Sequence, residues 1–252
     1  MAQDRFRVLV LGTGWAFGDR NYTVGFAVQT GAVWTLIEAP FPIRKVLREA
    51  CAGHDLEVDL RDISATIITH LHADHCAAVP IIGLYSKFEV GRPAHVAGGP
   101  EIMARIWPDF LAAGLDAILD NELGRIRQAT FEDYFTGQVL QAGRPNEVSN
   151  YEVEILRTKH MVPTYAVKIN FGNRSLAYSS DTPFDESVIE FVAPADCIFH
   201  EVGDHPHTGL DQLMGLDANI REKMYLVHHP DYHDTSTSEM KYLVQGQLIE
   251  IT

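Results

Sequence analysis

The chain of 252 residues has only three cysteines, Cys51, Cys76 and Cys197, and none belongs to a C-x-x-C pair. Disulfide frameworks and zinc ribbons both need paired cysteines, so neither is supported and three buried thiols are expected. Long apolar runs are also missing. The opening segment MAQDRFRVLVLGTG reaches about five apolar residues before glycine interrupts it, short of a signal-peptide core or the roughly 18 residues that span a bilayer. A cytoplasmic protein without a membrane partner is expected. Basic charge is scarce: 20 Lys and Arg stand against 34 Asp and Glu, a formal charge of -14. Such a field repels polyanions, which disfavours long DNA or RNA as a partner. It leaves room for a small anion held at a metal centre, where the ions set the local field.

Several catalytic signatures are absent as well. There is no G-x-S-x-G elbow, no S-x-x-K and no G-x-x-x-x-G-K-[ST] loop, so serine nucleophiles and nucleotide kinases lack a motif. The glycines Gly12 and Gly14, with Glu38 ending a later strand, fall short of a dinucleotide fingerprint. Phe17 occupies the third glycine's place, and Tyr22 to Gln29 alternate like a strand where that motif needs a helix. No repeat, low-complexity tract or linker divides the sequence, so one domain spanning 1–252 is expected.

What is present reads as an α/β pattern. Strands are predicted at FRVLVLG from Phe6, VGFAVQT from Val24, VWTLIEA from Val33 and SATIITH from Ser64, with a helix at PIRKVLREACA from Pro42. Residues of about 100–138 read as a mainly helical insertion carrying Trp107, Phe110, Phe131, Tyr134 and Phe135. Such aromatics pack a core or line a lid. Strands return at YEVEILRTKH, TYAVKINFG and RSLAYSSD, followed by two helix-to-strand units ending in ADCIFHE and KMYLVHH. His70, His160, Asp181, His200 and His228 are each expected just past a strand's C-terminal end, where α/β proteins assemble sites.

The segment ITHLHADHCAAVP places His70, His72, Asp74 and His75 within six positions, in a chain with 12 histidines. Packing gives no reason to crowd three imidazoles and a carboxylate, whereas a metal does. Two histidines one residue apart project to the same side of an extended segment, so His70 and His72 can ligate one ion, with Asp74 and His75 facing a second. Later strand ends supply the rest of a two-metal hydrolytic site: His160 for the first ion, His228 for the second and Asp181 between them. His229, beside His228, is the alternative ligand there. Arg92, Arg105, Arg125, Arg127 and Arg144 lie in or near the insertion, where one could meet a phosphate, although charged residues on such segments are usually a solvated face.

The pattern His70-Leu-His72-Ala-Asp74-His75 resembles the H-x-H-x-D-H motif of the metallo-β-lactamase superfamily. Over most of its length the chain is most similar to that superfamily's ribonuclease Z-like phosphodiesterases, through VLVLGTGWAFGDRN, through Ser180-Asp181-Thr182 and His200-Glu201-Val202-Gly203, and through HTGLDQL from His207. The resemblance implies an αββα sandwich holding two divalent metal ions, zinc first, with manganese or iron as alternatives. It implies metal ligands His70, His72, Asp74, His75, His160, Asp181 and His228, and a proton relay of Glu201 with His207. Asp74, Glu201 and His207 are the catalytic candidates. The long arm with which ribonuclease Z grips tRNA falls between the third histidine and the bridging aspartate, but here only 20 residues separate His160 from Asp181. With the acidic charge, this points to a small nucleotide-type diester such as a cyclic nucleotide, attacked by a metal-bridging hydroxide. Ester, lactone or thioester hydrolysis is the alternative, and di-iron redox chemistry a more distant one, since flavin-coupled iron relatives carry glutamate at the position of His72. Relatives are often dimers, so a homodimer is a further expectation.

Overall fold

A computed structural model describes residues 4–120 and 124–252; residues 121–123 of the expected insertion lie outside them. The run FRVLVLG forms β1 (Phe6–Gly12), and β2 (Gly25–Thr30) pairs with it antiparallel. Gly12 is obligatory at this turn, because a Cβ there would sit 2.1 Å from the Thr23 carbonyl oxygen. β3 (Val33–Ile37) follows, and α1 (Ile43–Cys51) buries Ile43, Val46, Leu47 and Ala50 at helical spacing. β4 (Ile63–Ile68) then lies parallel to β3 and leads into the short helix α2 (Ala73–Cys76) and α3 (Val79–Tyr85). β5 (Ala94–Gly98) extends the parallel set beside β4.

The insertion is helical only in its first half. α4 (Pro100–Arg105) runs through a π-helical segment, Ile106–Leu111, into α5 (Ala112–Leu115). Pro108 sits inside the π segment, where its missing N–H and its ring disfavour the regular i to i-4 ladder. Beyond Leu115 the chain turns to strands: the hairpin β6 (Ala117–Asp120) and β7 (Arg125–Gln128), then β8 (Phe135–Val139), which pairs parallel with β5. These strands are short, and β8 is buried only at Phe135, so they lack the alternation that marks a strand in sequence.

The second half repeats the plan with β9 (Asn146–Val148), β10 (Tyr151–Arg157), β11 (Tyr165–Phe171), β12 (Arg174–Tyr178), α6 (Glu186–Val192), β13 (Cys197–Glu201), α7 (Leu210–Met214), α8 (Ala218–Arg221), β14 (Met224–Val227), β15 (Lys241–Tyr242) and β16 (Leu248–Glu250). One sheet has the order β16-β1-β2-β3-β4-β5-β8, the other β15-β14-β13-β12-β11-β10-β9. Strands β3, β4, β5 and β8 of the first are parallel, as are β12 to β15 of the second. Phe26 of the first sheet joins them by packing on Tyr178 and Phe199 of the second, with ring centroids 5.2 and 4.9 Å apart. Burying each such ring stabilises the fold by about 1.5–3 kcal/mol. On the outer face of the second sheet, Val188, Val192 and Leu213 of α6 and α7 pack with Ile198 and Leu226. The result is the expected αββα sandwich. No helix among the described residues is long and apolar enough to cross a membrane.

Candidate metal centre

The parallel strands of both sheets end at one edge, and their following loops deliver the polar side chains there. Thr69 and His70 continue β4. His72 is the N-cap residue of α2, and Asp74 and His75 occupy its first turn. His160 lies in the connection from β10 to β11, Asp181 follows β12, Glu201 closes β13 and His228 follows β14. Of the five residues expected just past strand ends, His200 alone does not stand there: it lies inside β13, buried, with its Nδ1 2.7 Å from the Glu201 carbonyl oxygen.

Two donor groups form around Asp181. His70 Nε2 and His160 Nε2 lie 3.7 and 3.6 Å from its Oδ2, and His72 Nδ1 lies 3.1 Å from His160 Nε2. On the other side, His75 Nε2 and His228 Nδ1 lie 3.3 and 3.8 Å from Oδ1. Asp74 Oδ2 stands 3.3 Å from His75 Nε2 and 3.1 Å from His228 Nε2. One carboxylate thus turns one oxygen to each group. Four of these atoms, His70 Nε2, His75 Nε2, His228 Nδ1 and Asp181 Oδ1, are buried without a hydrogen-bond partner. Leaving such atoms unpaired costs about 1–3 kcal/mol each, and cations would satisfy them together. The donor types fit divalent ions in two clusters, one of His70, His72, His160 and Asp181 and the other of Asp74, His75 and His228, with Asp181 Oδ1 reaching toward His75 and His228 of the second.

A buried support fixes the tautomers. The Thr69 hydroxyl donates to Glu38, so toward His70 Nδ1, 3.0 Å away, it can only accept. That leaves the Nε2 lone pair of His70 facing the centre. His75 Nδ1 donates to Glu38 Oε1 across 3.2 Å, freeing its Nε2 in the same way, and the Ser180 hydroxyl donates to Thr69 Oγ1 across 2.7 Å. Partners of this kind orient ligands and tune their basicity. Glu38, Ser180 and His228 all hold positive φ, at 64, 52 and 55°. Non-glycine residues occupy that region only where the surroundings impose it. Glu38, set aside above as part of a failed dinucleotide motif, and Thr69 are site residues that sequence reasoning missed; the signal was a buried acid closing the strand beside the histidine loop.

The electrostatics follow from burial and charge pairing. Burial pushes the His70 pKa well down, aided by the neighbouring His75. Burial also opposes charge on His75 and His228, but the carboxylates overcome it: Asp181 and Glu38 raise His75 well above the ordinary imidazole value, and Asp181 with Asp74 raises His228 to about 10. Asp181 is held well below the carboxylate range by His228 and His75 despite its burial. The carboxylates of the centre therefore favour positive charge beside them, which protons on His75 and His228 or a bound cation in their place can supply. Beside the centre, Glu201 Oε2 accepts from His207 Nδ1 across 2.5 Å and lies 3.4 Å from His228 Nδ1. Glu201 Oε1 accepts from the Thr182 backbone N–H. Burial works against a charged His207, and Glu201 nonetheless raises its pKa. His229 turns away, its ring against Tyr242 at 5.2 Å and its Nδ1 beside the Pro230 carbonyl, so His228 is the residue brought to the centre.

A cavity of about 590 Å³ opens over these groups, lined above by Trp15, Phe17, Met161, His205 and Tyr232. Among the described residues, no Lys or Arg lines it, so none of the arginines considered above is placed to meet a phosphate. Arg105 instead pairs with Asp109 and Arg127 with Asp133. The aromatics of the insertion are also elsewhere: Trp107, Phe131 and Tyr134 pack against one another and the core, with Phe131 5.2 Å from Phe135. A larger cavity of about 830 Å³ beside α1 is lined by Arg44, Lys45 and Arg48 and contains none of the metal-type groups.

The sandwich and the edge on which its loops converge are those of the metallo-β-lactamase fold. The fold is shared with YhfI of Bacillus subtilis, at a TM-score of 0.75 and 18% identity, covering 98% of this chain and all of that one. Within the fold, the Anti-Pycsar protein Apyc1 family matches residues 6–249, and the chain belongs to that family. It is similar to the Anti-Pycsar protein Apyc1 of Bacillus phage BSP38, with 28% identity covering 96% of both chains. It is also similar to the cGMP-dependent 3',5'-cGMP phosphodiesterase A of Dictyostelium discoideum, with 22% identity covering 96% of this chain and 28% of the larger protein.

Proposed function

We propose that this protein hydrolyses a 3',5'-cyclic nucleotide to the nucleoside monophosphate at a centre of two divalent ions, zinc in the first place. The observation that carries the reading is Asp181, which turns one oxygen to each of two imidazole groups directly beside the Glu201–His207 pair. The likeness to a 3',5'-cGMP phosphodiesterase supports the choice of substrate. His70, His72 and His160 with Asp181 would hold one ion, and Asp74, His75 and His228 with Asp181 the other. When bound, these ions supply Lewis acidity toward the phosphoryl oxygens and lower the pKa of a water to near neutrality. Among the described residues, no arginine or lysine lines the cavity to do the first of these.

The chain's own residues perform the remaining work. Glu38, Thr69 and Ser180 hold the imidazoles in their orientations. Glu201 fixes His207 through Nδ1, so the other ring nitrogen, Nε2, holds the proton that the departing ribose oxygen needs. Water, having given one proton to solvent, joins its oxygen to phosphorus, the bond from phosphorus to one ribose oxygen breaks, that oxygen takes its proton from His207, and His207 regains one from solvent. A positioned acid of this kind typically contributes about 10²- to 10⁴-fold. The test is to incubate the metal-loaded protein with 3',5'-cyclic GMP and, separately, with a carboxylic ester, a lactone and a thioester. Guanosine monophosphate should form from the first, with loss of turnover on chelation. An intact cyclic nucleotide beside a hydrolysed ester would assign the centre to acyl chemistry.

A further inference from the structure

The rim of the cavity is unlike its floor. Phe17 is 81% exposed and Tyr232 63% exposed, and both line the same opening as Trp15. Trp15 stands between them in edge-to-face contact, 5.2 Å from Phe17 and 6.2 Å from Tyr232, with interplanar angles of 87 and 86°. Three aromatic rings grouped at the mouth of a polar pocket leave apolar surface in water, and such patches mark binding sites.

The two loops that carry them are tied together. Asp231 Oδ2 accepts from the Asp19 backbone N–H across 2.6 Å, Arg20 donates to the Asp231 carbonyl, and the Tyr232 hydroxyl donates to Asp204. Gly14 bridges Thr23 and His229 at the base of the first loop. The backbone that carries the rings is therefore tied before any ligand arrives, which removes part of the entropy cost of binding.

Resting on the diesterase reading above, we propose that Trp15, with Phe17 and Tyr232, forms the wall on which the substrate's base stacks while its phosphate meets the histidine floor. Among the described residues the cavity has no Asn, Gln, Lys or Arg in its lining; of its upper polar groups, Asp204 already accepts from the Tyr232 hydroxyl and His205 stands beside it, so aromatic faces make up most of what the rim offers to a base. Stacking of this kind grows with ring area and suits a nucleobase better than an aliphatic group.

The experiment measures KM and kcat for 3',5'-cyclic GMP, 3',5'-cyclic UMP and base-free ribose 3',5'-cyclic phosphate in the wild type, Trp15→Ala and Trp15→Phe. The wild type should favour cyclic GMP over the base-free diester in KM by about tenfold, the effect of one base stacked on one aromatic ring. Trp15→Ala should bring that ratio close to one, with a larger loss for the guanine than for the uracil nucleotide and a smaller change in kcat than in KM. Trp15→Phe should restore most of the ratio, which a folding defect would not permit. A ratio unchanged in Trp15→Ala would overturn the stacking wall, as would a wild type that binds base-free and base-bearing diesters alike, and both leave the diesterase reading standing. A metal-loaded wild type that hydrolyses none of the three diesters would refute that reading and the wall with it.

Discussion

The floor and the rim of one cavity are built by opposite rules. On the floor, His70, His75, Asp181, Glu201 and Glu38 are almost wholly buried, and each is held by a specific polar partner or left facing the centre without one. On the rim, Phe17 and Tyr232 are mostly exposed, and the backbone that carries them is fixed by Asp231 and Gly14. The floor spends buried polarity on geometry and charge, so changes there should alter chemistry or metal content. The rim spends exposed apolar area, so changes there should alter substrate preference and little else.

The sharpest break in that comparison is Asp181→Ala. It removes the carboxylate that turns one oxygen to each imidazole group, and turnover should fall by at least about 10²- to 10³-fold, the loss expected when one preorganised electrostatic group is deleted. Metal analysis of the variant should find fewer than two ions per chain. Next in size is the proton donor. His207→Ala and Glu201→Gln should each lower kcat by about 10²- to 10⁴-fold. The sign of the accompanying pH effect is set by the raised pKa of His207. The protonated donor is fully present below that pKa and lost as pH rises through it, so the rate falls on the alkaline side. In Glu201→Gln the raising charge is gone, and the alkaline limb of a kcat profile should move to lower pH; a limb that stays in place would remove His207 from the donor role.

Smaller effects separate the floor from its supports. Glu38→Gln keeps the shape but not the charge that holds His75 and Thr69. Metal affinity should weaken by about 10- to 100-fold, and a titration should recover activity at high metal concentration. The smallest effect on catalysis belongs to neighbours that face elsewhere. Trp107→Ala should destabilise the fold by about 1–3 kcal/mol, less than a fully buried ring would, with KM for cyclic nucleotide unmoved. A thermal melt beside steady-state kinetics checks both halves, and a large KM change would return the insertion to the role of a lid.

The floor was largely legible in sequence because its densest part is local. His70 to His75 fit within one strand end and one helical turn, and the remaining donors stand at ends of strands whose patterns are plain. His228, preferred in sequence over its neighbour, lies beside Asp74 and Asp181, while His229 packs on Tyr242. What was illegible depends on contacts between distant segments. Glu38 reaches Thr69 and His75 only because β3 lies parallel to β4, more than thirty positions later in the chain. The rim depends on Asp19 meeting Asp231, a separation of 212 positions, and nothing in the loop WAFG shows that its rings will overlook the histidines. The aromatics of the insertion left two readings open for the converse reason. Their spacing is compatible with a lid or a core, and packing against β8, itself hidden by weak alternation, decides for the core.

The most direct test of the central claim is a zinc titration of metal-stripped protein, followed by 3',5'-cyclic GMP hydrolysis and by the count of bound ions at each point. The wild type should reach full turnover at two ions per chain, while Asp181→Ala neither holds two nor turns over. Full activity with one ion or none, or two bound ions beside an untouched cyclic nucleotide, would contradict it.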